Sequence, residues 1–156
     1  MAFELHAQLA VGNIKHCVIE GDNLDLAFPH PWEHRLAERN LAAMWANYRA
    51  LGYRRMIYTN TVSVRFTQDL AAAMGDEPRI AAVLLTATDE TSSARLRGRI
   101  QGSDLQEHID RSNAAAREFE RLTPGWVPRC PTDNRSVQEI AADLVPIIGW
   151  TANPAG

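Results

Sequence analysis

The sequence predicts one α/β domain in which a parallel sheet is flanked by helices. Three observations lead there. Short apolar runs at residues 16–20, 55–60, 80–86 and 127–130 alternate with longer stretches of helical periodicity, an order that calls for crossover connections and parallel strands. The run at 80–86 is apolar almost without a break, as strands buried on both faces are. The chain has 156 residues, enough for one core that removes about 70% of the unfolded chain's surface from water.

Each element has its own signal. Residues 2–10 carry amphipathic helical composition, and Gly12-Asn13 stops it. Residues 16–20 form the first strand, and a loop with Pro29 and Pro31 opens a long helix from about Trp32 to Leu51. Leu41, Met44, Tyr48 and Leu51 are its expected apolar stripe, Trp45 and Tyr48 read as core, and Gly52 ends it. The second strand is 55–60, followed by a short helix over 67–74 and the strand 80–86. Asp89 starts a helix carrying Arg95, Arg97 and Arg99, and Ser103 with Gln106 makes a capping box for a helix reaching Leu122. Pro124-Gly125 turns the chain into a last strand at 127–130. A second capping box, Ser136 with Glu139, opens a helix with Val137, Ile140, Ala141 and Leu144 inward. The expected organisation is a single domain over 1–150, a lid-like segment at about 90–120, and a frayed tail at 151–156.

Composition narrows the partners. A net charge of −3 argues against a general nucleic-acid binder, which is usually basic. The cations are fifteen arginines and a single lysine, Lys15. Two cysteines without zinc-type spacing read as reduced thiols. No apolar run is long enough to cross a bilayer, and the start lacks a basic n-region. The expectation is a cytoplasmic protein with no membrane and no nucleic-acid partner. Nothing in the residues indicates an oligomeric state.

The stretch Val18-Ile19-Glu20-Gly21-Asp22-Asn23-Leu24-Asp25 carries the chemistry. An apolar strand delivers acids and an amide to its C-terminal edge, where open α/β sheets hold ligands. Asp22 there could hold Mg²⁺ through water or take a proton from a hydroxyl, and Asn23 and Asp25 could orient a polar substrate. A solvated turn is the plain alternative. Arg95 and Arg99, four apart on one helix face, could grip phosphates, or form an exposed basic face. His30 and His34 flank a proline and lack a third ligand, so a surface or substrate-loop role is expected over zinc. Ser63 has no GxSxG context.

These residues resemble a family. Residues 19–23, Ile-Glu-Gly-Asp-Asn, are similar to the "DGDN" strand end of adenylylsulfate kinases, and Glu38-Arg-Asn-Leu-Ala-Ala-Met44 with the following Leu-Gly-Tyr and Met-Ile-Tyr also resembles them. Arg95-Leu-Arg-Gly-Arg99 resembles the lid start of gluconate and shikimate kinases, and residues 132–141 the segment passing near adenine in such kinases. The resemblance runs in order from about residue 3 to 150. It implies a P-loop NTPase fold of the small-molecule kinase type and an ATP-dependent phosphotransferase acting on a hydroxyl of a small-molecule acceptor. Asp22 would be the catalytic or Mg²⁺-linked carboxylate, and Arg95 and Arg99 would serve the phosphates. Asn23, Asp25 and Arg39 would contact the acceptor, and Asp133, Asn134 and Arg135 the ATP base. Glu20 stands where the kinase motif has its first Asp, and the loop 26–34 is unlike the sulfate-kinase substrate loop, so the acceptor's identity is not carried over.

The resemblance also exposes a gap. Family members open with a strand, a GxxxxGKS/T loop and a helix; this sequence contains no such loop. The missing strand would be central, between the strands at 55–60 and 80–86. Either the natural protein starts further upstream, the expectation favoured here, or the flanking strands close up and pair. Without the loop the phosphates lose their cradle, so the chain is expected to be inactive by itself. The alternatives are a ligand-binding remnant that does not turn over ATP, and a P-loop ATPase of another role.

Overall fold

The computed structural model describes residues 1–98 and 105–150. In chain order the elements are α1 (Ala2–Val11), β1 (Cys17–Glu20), α2 (Leu36–Ala50), β2 (Met56–Thr59), α3 (Thr67–Met74), β3 (Leu84–Thr86), α4 (Asp89–Arg97), α5 (Leu105–Leu122), β4 (Arg129–Pro131) and α6 (Val137–Ile148). The strands form two parallel pairs, β1 with β2 and β3 with β4. The expected class holds: α/β, with short parallel strands and flanking helices. The chain divides into two compact units, Met1–Ala81 with Val137–Gly156, and Ala82–Ser136.

In the first unit β1 alternates as a one-sided strand should: Cys17 and Ile19 are buried, Val18 is partly covered and Glu20 is exposed. Cys17 lies opposite Met56 and Glu20 opposite Thr59. Ile19, Leu24 and Leu41 form a buried cluster, and Tyr58, Met56, Leu70 and Met74 pack against it. Helix α2 packs on α3 and α1 on α6, the latter pair tied by Gln8 Nε2 donating to the Gln138 carbonyl at 3.0 Å.

The expected long helix from Trp32 is broken. Trp32–His34 is a 3₁₀ turn, and Arg35 takes the left-handed conformation (φ 48°) before α2 begins at Leu36. The buried stripe is Leu41 and Trp45, with Tyr48 against the cluster. That spacing of four and seven follows the helical period, and it leaves Met44 and Leu51 outside: Leu51 is 69% exposed. The Trp45 indole donates to Asp76 Oδ2 at 3.0 Å, and Arg49 meets the same oxygen at 2.6 Å. The expected helix 67–74 is α3, ended by Gly75 at φ 77°. In α6 Ile140, Ala141 and Leu144 are buried as expected, but Val137, at its first position, is exposed.

Beside β1, His16 is buried, and its Nδ1 donates to the Ile14 carbonyl at 2.6 Å. His6 Nδ1 lies 2.9 Å from the other ring nitrogen, Nε2.

In the second unit the predicted strand 80–86 contracts to Leu84–Thr86, with Leu85 exposed. An apolar run stays buried on both faces only where a sheet surrounds it, and β3 has one strand partner, β4, among the described residues. The last strand shifts from 127–130 to Arg129–Pro131. Helix α4 is capped by Thr88, whose hydroxyl accepts from the Thr91 amide at 3.3 Å, with Asp89 in the first turn. Helices α4 and α5 pack together, joined by the Arg117–Asp89 ion pair and by Asn113 reaching Ser93. Arg99, Ser103 and the tail 151–156 lie outside the described residues. Among the described residues no helix is long and apolar enough to cross a membrane.

Candidate functional site

The C-terminal ends of β1 and β2 lie side by side because the strands are parallel and in register. At the end of β1 the chain turns sharply through a 3₁₀ turn, Gly21–Asn23. Gly21 is needed there: a Cβ on it would overlap the Tyr58 Oη and Cζ and lie 2.8 Å from Cε1. The tyrosine ring thus lies over the turn backbone itself.

Side chains of the two strand ends are then paired. Thr59 Oγ1 donates to Glu20 Oε2 at 2.7 Å, and Asn60 Nδ2 donates to Asp22 Oδ1 at 2.6 Å. The Asn60 amide is held in that sense because its Oδ1 accepts from the Val62 amide at 2.8 Å. Asp22 is thereby fixed through one oxygen while its second has no protein partner among the described residues. From α2, Asn40 Nδ2 donates to the Leu24 carbonyl at 2.6 Å and anchors the chain beyond the turn.

Next to these groups is a pocket of about 360 Å³, at the lower end of the range for small-molecule sites. Asp25, Glu38, Arg35, Tyr58, Asn60 and Ser63 supply its polar lining, and Trp32 and Phe66 its aromatic lining. Arg35 Nε meets Glu38 Oε1 at 3.2 Å. Burial, then the charges of Asp25, Asp22, Glu38 and Glu20, push the Tyr58 phenol up to about 12.

Of the residues expected from sequence, Asp25 lines this pocket and Asp22 adjoins it through Asn60. Asn23 and Arg39 are exposed and do not line it. Arg35 supplies the pocket's guanidinium instead, because its left-handed conformation takes it out of α2. Tyr58, Asn60 and Glu38 were not anticipated. The rule that pointed to the end of β1 applies equally to Tyr58-Thr59-Asn60 at the end of β2 and could have found two of them. Ser63 lines the pocket, its hydroxyl 3.4 Å from the Asn60 carbonyl. His30 and His34 are exposed, and His30 stacks on Trp32 at 4.8 Å.

The second unit holds the other expected residues. Arg95 donates from Nη1 to Thr132 Oγ1 and from Nη2 to the Thr132 carbonyl, each at 3.0 Å. Asp133 Oδ1 accepts from the Thr88 amide and hydroxyl, both at 2.9 Å. Hydrogen bonding from Thr91, and then from Thr88, holds the Asp133 carboxyl down at about 2. Asn134 is exposed, with φ 52°, and Arg135 Nη1 donates to the Pro131 carbonyl at 3.3 Å. The Asp133 contacts join the end of β4 to the start of α4, and the Arg95 contacts tie it to the last turn of that helix.

Among the described residues no lysine reaches the end of β1 that carries Asp22. Lys15 precedes β1, at the end of the strand away from Asp22; its Nζ donates to the Leu51 carbonyl at 2.7 Å and lies over the Tyr53 ring at 4.7 Å. Among the described residues no three acids, histidines or cysteines converge to hold a metal ion.

No protein-family profile matches the chain, and no curated protein matches it. Among solved structures it is similar to the tunicamycin resistance protein of Deinococcus radiodurans, with 16% identity, a TM-score of 0.56, and coverage of 99% of this chain and 92% of that one. At that identity the likeness is one of fold: an α/β chain with flanking helices.

Proposed function

We propose that the chain carries the acceptor side of a P-loop-kinase-like protein, an ATP-dependent phosphotransferase acting on a hydroxyl of a small molecule. The observation that carries the reading is the pocket at the C-terminal ends of two parallel strands, bordered by a carboxylate with one oxygen held and one free. Asp22 would accept the proton of the acceptor hydroxyl through its free oxygen, which requires hydrogen-bond reach. Asn60 keeps that carboxylate aimed, and Asp25 and Ser63 offer the acceptor further polar contacts. The ordered motif resemblance supports the kinase reading, and the fold likeness is compatible with it.

A second reading has its own support. Lys15 is engaged at the far end of β1 and the sequence carries no phosphate loop, which favours a module that binds the acceptor without turning over ATP. Both readings predict that millimolar Mg-ATP leaves the melting temperature of this chain unchanged. A ligand at a hundred times its Kd would add about 2.7 kcal/mol, a rise of several degrees. Such a rise, abolished by Asp22→Ala, would overturn both. The codons upstream of Met1 separate them: an in-frame GxxxxGKS/T favours the phosphotransferase, an in-frame stop the binding module.

A further inference from the structure

We propose that the pocket selects a positively charged acceptor: a small molecule combining a hydroxyl, a flat aromatic or apolar face and an ammonium group. The inference rests on reading the pocket as the acceptor site and concerns only what that site takes.

The charge around it is one-sided. Four carboxylates, Asp25, Asp22, Glu38 and Glu20, act on the Tyr58 ring, and one guanidinium, Arg35, lines the cavity. Arg35 is committed to Glu38. Among the described residues Glu20 and Asp22 receive only neutral donors, from Thr59 and Asn60. Asp25 lines the cavity with no hydrogen bond or ion pair to any described residue. Among the described residues that line the cavity no cation is left free to offset this field for an anionic acceptor, whereas an ammonium would supply the missing countercharge.

The walls suit the same guest. Trp32, Tyr58 and Phe66 line it; His30 stacks on Trp32 at 4.8 Å and the Arg65 guanidinium lies over the Phe66 ring at 5.9 Å, yet Trp32 and Phe66 stay 70% and 46% exposed, leaving surface for a ligand to cover. Aromatic faces attract cations as well as flat apolar groups. The preference is opposite in charge to gluconate and shikimate, both carboxylates.

Three compounds with one skeleton test it: phenylethanolamine, its neutral analogue phenylethylene glycol, and the anion mandelate. Each is titrated into the isotope-labelled chain without nucleotide, following the amides of Gly21, Asn60 and Phe66. The expected result is saturable shifts with phenylethanolamine at least about fivefold tighter than with the glycol, and none with mandelate. Asp25→Asn should bring amine and glycol to within about twofold, and high salt should narrow the gap. Glu38→Gln, which leaves Arg35 unpaired, should let mandelate bind. The same spectra establish that each variant is folded. Mandelate binding as tightly as the amine to the unaltered chain overturns the proposal, as does an amine preference that survives Asp25→Asn. So does the absence of shifts with all three at about ten millimolar, weaker than any useful site. Because no ATP is present, these outcomes are independent of whether the protein is a phosphotransferase.

Discussion

Gly21→Ala is expected to destabilise the chain through a single neighbour, the Tyr58 ring. The new methyl would overlap the Oη and Cζ of that ring and stand 2.8 Å from Cε1. Cζ belongs to a rigid ring whose body packs on the Ile19–Leu24–Leu41 cluster, so the ring must move as a whole. Overpacking of this kind costs about 1–3 kcal/mol. The backbone at Gly21 is not in the left-handed region, so an alanine there carries no conformational penalty and would itself contribute about 0.5 kcal/mol by restricting the unfolded chain. The sign should therefore depend on Tyr58. In a Tyr58→Ala background, where the ring is gone, Gly21→Ala becomes neutral or slightly stabilising. Tyr58→Phe should rescue little, because Cζ remains. A double-mutant cycle read by urea unfolding should give a coupling of about 2 kcal/mol. Additivity within about 0.5 kcal/mol would refute the argument, since it would mean that Gly21 is required for a reason other than the ring.

Three further outcomes are expected. The Tyr58 phenol, raised to about 12 by burial and by Asp25, Asp22, Glu38 and Glu20 in that order, should be the phenolate that vanishes from the alkaline ultraviolet titration in Tyr58→Phe. Its midpoint should fall in Asp25→Asn. Since the folded state holds this proton more tightly than the ordinary value of 10, its contribution to stability is full below pH 10 and is lost between pH 10 and about 12. Asp76→Ala should lower stability by about 1–3 kcal/mol, seen as a lower urea midpoint at unchanged slope, because the buried Trp45 indole and Arg49 both lose their acceptor. Asn113→Leu should be neutral or raise stability by about 1 kcal/mol: its buried Oδ1 has no partner among the described residues and its Nδ2 is a long 3.5 Å from Ser93. A loss of more than about 2 kcal/mol would mean that the amide is satisfied after all.

Much of the fold was legible because it is written in local signals. The strand ending at Glu20, the helix 67–74 with Gly75 behind it, and the inward set Ile140, Ala141, Leu144 all follow from period and punctuation. Two features depend on tertiary context instead. The run at 80–86 is apolar enough for a buried strand, but how much of it enters a ladder depends on which strands flank it, and that is not local information. Arg35 shows the other failure. Its neighbours carry helical composition, so nothing in the residue announces a left-handed φ, yet that one dihedral starts α2 late and brings a guanidinium to the pocket while Arg39 stays outside. For the candidate site, Asp22 and Asp25 were singled out because the end of β1 is rich in acids. Asn60 and Tyr58 were not, although they stand at the end of β2 where the same rule applies; their contacts with Asp22 and Gly21 are tertiary.

The packing of α6 on α1 has a consequence for the order of folding. The two helices are separated by about 125 residues, and closing a loop of that length costs about 4 kcal/mol of chain entropy. Ala82–Ser136, by contrast, is one contiguous stretch of chain. On a ribosome the pairing of β3 with β4 and the packing of α4 on α5 can form before α6 has been made. Helix α1, which carries the buried Leu5 and Leu9, gains its packing on α6 only once that helix has been made. A shortened chain ending before Val137 would lose that packing and the Gln8–Gln138 hydrogen bond, and α1 should become more open to a protease.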